Sequence, residues 1–348
     1  MISVLIATIN DQYLKRTLLE TWKTAEGEVE FIVINDGGNP LPDLHINNGI
    51  TTPRQYEYHV ITHPKTLGRR VSFNEAARMA RGDYLFILDS HCSMSQGWDT
   101  KMMASCTGNN LVYSVIRDMD KETWNYRPGY YTHVRLNKEY TEKWWNLKPY
   151  TKCEVEEESM TITGCAWMVT QKCYWELGGY DESLGGYGWD GPEWTCKVWM
   201  GEKPGRVILR TDVICGHIFG TNDGSKVYHP DMIPKAKYIE YMTARYGDKI
   251  DKLVEHFAPV PDWEPGLKGS NMGQTTKREV KVNRIDESVT KDEKGEVVKK
   301  VIEYFEYIYT DDGNGPSEAA ITKKYGPKAK KVREEVWELK DGQLQKVA

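Results

Sequence analysis

The sequence predicts an α/β fold built on a Rossmann-like, mostly parallel sheet with a small α+β C-terminal module, and three observations carry that expectation. Short apolar, β-branched runs alternate with helix-length segments through the first half of the chain. Each run ends in polar residues. Beyond about Pro259 the texture changes from this alternation to a charged tail. Strands separated by helices point to right-handed βαβ units.

Ser3–Ile9 and Val29–Ile34 are the first two strand candidates, and between them Tyr13, Leu14, Leu18 and Trp22 recur at helical spacing. Tyr58–Thr62 is a third strand, Val71–Arg81 a helix and Tyr84–Leu88 a fourth strand. Thr161–Val169 reads as a strand, Gln171–Leu177 and Gly191–Met200 as helices, and Arg206–Leu209 with Val213–Cys215 as strands leading to His217. Tyr228–Tyr246 and Ile250–Phe257 read as helices. The organisation expected is a domain over 1–258, a Pro-, Gly- and Ser-bearing linker over 259–276, and a charged module over 277–348. In that module Glu279–Ile285 and Val297–Thr310 flank a turn at Lys294-Gly295. Helices over Ser317–Tyr325 and Pro327–Val336 and a hairpin at Asp341-Gly342 follow.

Bulk properties narrow the function. With 39% hydrophobic and 28% charged residues in 348, a packed core is expected rather than disorder. A net charge of −5 argues against a protein coated in nucleic acid, while leaving room for a local basic patch. Seven cysteines without a C-x-x-C pair suit buried thiols in a reducing compartment better than a disulfide framework. No apolar segment approaches the ~20 residues of a membrane span, so a soluble, cytoplasmic protein without a membrane partner is expected. Neither G-x-G-x-x-G nor a P-loop is present.

In open α/β sheets ligands bind beyond the carboxyl ends of the strands. The polar residues there are Thr8-Ile9-Asn10, Asn35-Asp36-Gly37-Gly38 and Asp89-Ser90-His91. Asp89 and His91, two apart on an extended segment, point the same way. A carboxylate and an imidazole so placed suit Mn2+ or a similar divalent cation.

Three blocks in order carry a family resemblance: Phe86-Ile87-Leu88-Asp89-Ser90-His91 with Gly97-Trp98; Gly164-Cys165-Ala166-Trp167 continuing through Gly178-Gly179-Tyr180-Asp181 and Tyr187-Gly188-Trp189-Asp190-Gly191-Pro192-Glu193; and Cys215-Gly216-His217-Ile218-Phe219. Over roughly residues 1–225 these resemble the polypeptide N-acetylgalactosaminyltransferases, and more broadly family 2 glycosyltransferases. The resemblance implies a GT-A fold and a metal-dependent transfer of sugar from a UDP-sugar to a hydroxyl. It makes Asp89, His91 and His217 metal ligands, with Asp89 also on the donor side. It places Thr8, Asp36, Arg69 and Arg70 around the donor, and Asp190 and Glu193 as catalytic acids facing sugar or acceptor. Trp189 stands where the family has a glycine and Tyr187 where it has a tryptophan, which leaves the sugar open. Retention of configuration is the family's outcome; an Asp190 base would mean inversion.

No lectin-type Q-x-W repeats occur. A lectin-free enzyme of this type resembles phage transferases acting on 5-hydroxymethylpyrimidine in DNA. A DNA acceptor would suit the basic run Lys323–Arg333 and an aromatic insert. There Trp124, Tyr126, Tyr130, Tyr131, Trp144, Trp145 and Tyr150 alternate with Arg127, Arg135, Lys138, Lys143 and Lys148. The rival readings are a protein Ser/Thr or glycan acceptor, and an inactive sugar-nucleotide-binding protein. Phe219 and residues 220–226 read as a loop closing over donor. His63, His133 and His229 have no motif context and are expected to be structural or solvent-facing.

Overall fold

The computed structural model describes residues 1–45, 56–145, 150–219, 232–263, 278–291, 297–311, 330–340 and 343–347. The chain divides into two compact units, Met1–Gly266 and Leu267–Ala348. Residues 148, 220–226, 229, 294–295, 317–325 and 341–342, and most of the basic run, lie outside the described residues.

The first unit opens with β1 (Ile2–Thr8), α1 (Leu14–Thr24), β2 (Val29–Asp36), β3 (Glu57–His63), α2 (Arg69–Met79) and β4 (Tyr84–Ile87). It continues with β5 (Cys92–Met94), α3 (Trp98–Ser105), β6 (Leu111–Asp118), β7 (Val134–Leu136), β8 (Glu142–Trp144) and β9 (Glu156–Glu158). β10 (Trp167–Thr170), α4 (Gln171–Glu176), α5 (Asp190–Met200), β11 (Val207–His217), α6 (Lys235–Tyr246) and α7 (Ile250–His256) complete it. The sheet order is β3-β2-β1-β4-β10-β6-β11-β5, with β9 also on β11. The pairings make β3, β2, β1, β4, β6 and β11 run one way and β10, β5 and β9 against them. The mostly parallel sheet expected is the one observed.

β1 and β2 are buried along their whole length, because helices cover both faces of the sheet, which is why they read as unbroken apolar runs. Side chains alternate between the faces. Ile2, Val4 and Ile6 pack with Leu14, Leu18 and Trp22 of α1 and Trp98 of α3. Leu5 and Ala7 pack with Phe73, Ala76 and Ala77 of α2 and Trp194 and Val198 of α5. Phe86 stacks on Trp98 at 4.5 Å between ring centroids, a pairing worth roughly 0.5–1.5 kcal/mol beyond its buried area. α6 and α7 close a third cluster over Leu136, Met160 and Cys196.

Several boundaries differ from the expectation. Only Trp167–Val169 of the Thr161–Val169 run is strand, within a β10 that extends to Thr170, while Thr161 bridges Val134; Ala166, at φ +56°, breaks the run. Arg206–Leu209 and Val213–Cys215 are one strand with an irregularity between Arg210 and Ile214. The start of the supposed linker packs against the first unit: Val260 is buried and Trp263 Nε1 donates to the Leu136 carbonyl at 2.8 Å.

The second unit is an antiparallel meander of β12 (Arg278–Lys291), β13 (Val297–Asp311), β14 (Lys330–Lys340) and β15 (Gln343–Lys346). The helix expected over Pro327–Val336 is corrected: Lys330–Lys340 is strand, paired along β13. Val336 sits opposite Val301 of β13, a β-branched pair that suits a sheet, and the partner strand decides. Lys340 pairs with Gln343, as the expected hairpin requires.

Candidate active site

The carboxyl ends of β4 and β11 place the chemistry. β11 ends at His217, and β5 pairs antiparallel with it in the register Cys92 to His217. That pairing sets His91 beside His217, the rings lying 4.8 Å apart between centroids. Thr17 of α1 pins the segment between, accepting from the Cys92 N–H at 3.0 Å and donating to the Ser90 carbonyl at 2.9 Å. Ligand atoms of Asp89, His91 and His217 all lie within 4.8 Å of one another, so the structure brings the three expected metal ligands together.

The set is oriented from behind. Asp11, just past β1, accepts from His91 Nδ1 at 2.8 Å and from Ser90 Oγ at 2.6 Å. An ionised carboxylate only accepts, so the imidazole proton sits on Nδ1 and Nε2 is left for a cation. Sequence reading examined Thr8-Ile9-Asn10 and stopped one residue short of Asp11. Its signal was the same as theirs, a polar residue beyond a parallel strand.

Arg69, the first residue of α2, spans two acids: Nη1 meets Asp89 Oδ1 at 2.7 Å and Nε meets Asp190 Oδ2 at 2.8 Å, while Nη2 donates to the Gly164 carbonyl. Burial alone would raise the Asp89 carboxyl, but Arg69, His217 and His91 outweigh it and hold it well below the usual carboxylate range. For His217 burial lowers the pKa, while Cys165 and Asp89 raise it further than that.

The structure does not bring Arg70 and Glu193 to this cluster, against the expectation of donor-binding and catalytic roles. Arg70 is 1% exposed and Glu193 0%. Arg70 Nε meets Glu193 Oε2 at 2.9 Å, and Glu193 Oε1 takes Lys197 Nζ at 2.8 Å and the Asp181 N–H at 3.0 Å. Arg70 also donates to the Gly188 carbonyl at 3.0 Å. Arg70 faces the interior because successive residues at a helix start point about 100° apart.

Asp36 is likewise buried. Its oxygens accept from the Leu67 N–H at 2.7 Å, the Gly68 N–H at 2.9 Å and His63 Nδ1 at 2.7 Å. They hold the loop into α2, where Gly68 has φ +97° and an added Cβ would meet the Gly186 carbonyl oxygen at 3.1 Å. Thr8 is buried, its hydroxyl without a hydrogen-bond partner among the described residues. His63 and His133 are interior, as a structural role requires.

Two further residues stand out: Trp189, already set apart by its departure from the family pattern, and Glu142, which was missed. Trp189 caps α5 in the left-handed region at φ +51° and stacks on Tyr238 at 4.8 Å; such strain in a non-glycine residue costs of order 1–3 kcal/mol and collects at functional sites. Glu142 of β8 carries a buried oxygen with no hydrogen-bond partner among the described residues. Burial first, and Asp190 next, push its carboxyl up to about 7. Nothing in the sequence around Glu142 marked it.

Two ring pairs form within the aromatic insert. Tyr130 stacks on Tyr150 at 4.1 Å and Tyr131 on Trp144 at 4.7 Å. Arg127 pairs with Asp118 and Asp120, and Arg135 with Asp262 at 2.7 Å.

The sequence profile of glycosyl transferase family 2 matches residues 3–178. The chain belongs to glycosyl transferase family 2. It is 27% identical over 189 residues to the putative inactive polypeptide N-acetylgalactosaminyltransferase 11 of Drosophila melanogaster, covering 49% of this chain and 31% of that protein. It is 30% identical over 161 residues to human polypeptide N-acetylgalactosaminyltransferase 10, covering 41% of this chain and 24% of that one. The chain thus spans about a third or less of the curated relatives it matches. The crystal structure of GalNAc-T7 with UDP, GalNAc and Mn2+ superposes with a TM-score of 0.59 at 19% identity, over 76% of this chain and 52% of that one. The GT-A fold expected of this glycosyl transferase family 2 chain is the fold observed. Among its described residues no helix is long and apolar enough to cross a membrane.

Proposed function

We propose that this family 2 chain transfers a sugar from a UDP-sugar to a hydroxyl acceptor with a divalent cation, Mn2+ by preference. The observation that carries the reading is the convergence of Asp89, His91 and His217 within 4.8 Å, with Asp11 fixing the His91 tautomer. One carboxylate and two imidazoles fit such an ion. A bound cation would neutralise charge on the departing diphosphate.

The chain's own groups supply the rest. Arg69 holds Asp89 and Asp190 at fixed separation, and its charge lies where diphosphate oxygens would gather. Asp190 faces sugar or acceptor from the start of α5, whose dipole favours its charge. Retention is supported because a general base at Asp190 would have to give up its 2.8 Å ion pair with Arg69. Arg70, Glu193 and Asp36 act as positioning residues, setting the α2 start and the 185–188 loop. Thr8 stays on the donor side, its unpartnered hydroxyl at a strand end.

For the acceptor, a protein Ser/Thr hydroxyl is favoured over 5-hydroxymethylpyrimidine in DNA. The insert's Arg127 and Arg135 are already neutralised by Asp118, Asp120 and Asp262, so phosphate contacts would have to displace those acids. The matched relatives are named as polypeptide transferases.

The test incubates the full chain with Mn2+ and a panel of UDP-sugars. Ser/Thr peptides, hydroxymethylated DNA and unmodified DNA are offered side by side, with UDP release and product mass both read. A hexose- or hexosamine-sized gain on peptide, abolished by Asp89→Ala, is the expected result. A gain on the modified base would instead establish the DNA acceptor. Metal-independent UDP-sugar binding with no turnover would mean a binding protein.

A further inference from the structure

Three cysteines converge beneath the metal cluster. Cys92, Cys165 and Cys215 are all buried. They arrive from three strands or strand entries: Cys92 opens β5 opposite His217, Cys215 lies two residues before His217 in β11, and Cys165 follows Gly164, whose carbonyl Arg69 holds. The sulfurs of Cys92 and Cys165 and an imidazole nitrogen of His217 all lie within 4.8 Å of one another. His217 presents Nε2 to Asp89 at 3.3 Å, and its Nδ1 is buried with no hydrogen-bond partner among the described residues.

We propose that Cys92, Cys165 and His217 form a second metal site, selective for a thiophilic divalent cation such as Zn2+ or Cd2+, which shares His217 with the Asp89–His91–His217 set. Ligand softness separates the two sites. Thiolates select zinc-like ions, whereas the carboxylate-bearing set suits Mn2+. Two cysteines and a histidine are a known zinc donor set with a fourth position open, and the Cys215 thiol stands beside it. Charge closes as well: two thiolates and a neutral imidazole offset a dication, and Cys92, Cys165 and Cys215 belong to the same buried apolar cluster as Met94, Ile116 and Ala166. On binding, the cation forms two metal–sulfur bonds, the two thiol protons leave to solvent, and nothing is oxidised or reduced. Because His217 belongs to both sets, a thiophilic ion takes a ligand from the first site and antagonises Mn2+ there.

The site is read without turnover, so its failure is distinct from failure of the transferase reading. The metal-free full chain is titrated with Cd2+, following thiolate-to-cadmium charge-transfer absorption. The expected result is a band saturating at one equivalent and absent with Mn2+. Cys165→Ser weakens it by more than about tenfold, the scale on which even outer partners of a ligand set act. Cys92→Ser does the same, whereas Cys153→Ser keeps the band. Cys165→Ser decides the matter if Cys92→Ser does not fold. No band in the unaltered chain, a band that survives Cys165→Ser, or a band lost in Cys153→Ser would overturn the proposal.

Discussion

Arg69 and Arg70 are neighbours at the start of α2, and Asp190 and Glu193 lie in the first turn of α5, yet the two arginine–acid pairs live in different surroundings. Arg69 joins Asp190 to Asp89, whose side chain is 19% exposed. Arg70 joins Glu193 to Lys197 and the 185–188 loop, with the Arg70 and Glu193 side chains 1% and 0% exposed. The first pair reaches the half-buried Asp89 of the proposed metal set. The second pairs buried charges with one another, and so holds two helices in place. Under the proposed function, the same residue types at adjacent positions divide into reacting and positioning groups by direction alone.

Substitutions break this comparison apart. Asp89→Ala should lower turnover on the order of 10^3-fold, by removing a metal ligand and unpairing Arg69, while the melting temperature stays within a few degrees. Steady-state kinetics beside a thermal melt checks both. Glu193→Ala should do the reverse. Leaving Arg70 and Lys197 without their buried acid costs about 3–5 kcal/mol of stability by denaturant unfolding, with Mn2+ affinity of the folded protein unchanged. A Glu193→Ala protein of normal stability and lost turnover would make Glu193 a reacting group.

Asp11→Asn sharpens the first half. It leaves every metal ligand in place and removes only the carboxylate behind His91, so Mn2+ affinity should fall about 10–100-fold, measured by titration calorimetry. The smallest effect is expected at Glu142. Its carboxyl is raised from 4.5 to about 7 in the folded chain, so its contribution is fully present below the unfolded value and is lost as pH rises through about 7. Stability should decline by about 1 kcal/mol between pH 5 and 8, discounted for the side chain's partial exposure. Glu142→Gln should flatten that decline in melts across the range.

Much of this was legible in the residues. The alternating runs of β1 to β4 were readable because strands buried on both faces have one composition and their helices another. Asp89 and His91 were readable as a pair just past a strand end, and His217 only through the family resemblance of Cys215–Phe219. Direction was not. Nothing in Arg69-Arg70 or in Asp190-Gly191-Pro192-Glu193 says which member turns inward, since that depends on Asp181 and the 185–188 loop packing against Glu193 and Arg70. Asp11 carried the strand-end signal but not its role, and Cys165 carried neither, because their meaning comes from partners about 80 and 50 residues away in sequence. The helix expected over Pro327–Val336 gives way to strand because the pairing with β13 is not visible in the local residues.

The central claim is that Asp89, His91 and His217 act together on one cation. It is tested most directly by titrating Mn2+ into the unaltered chain and into His217→Ala, each with and without UDP. One Mn2+ per chain, bound more tightly with UDP present and lost in His217→Ala, is the predicted result. Mn2+ binding that is unchanged in His217→Ala, or indifferent to UDP, would contradict it.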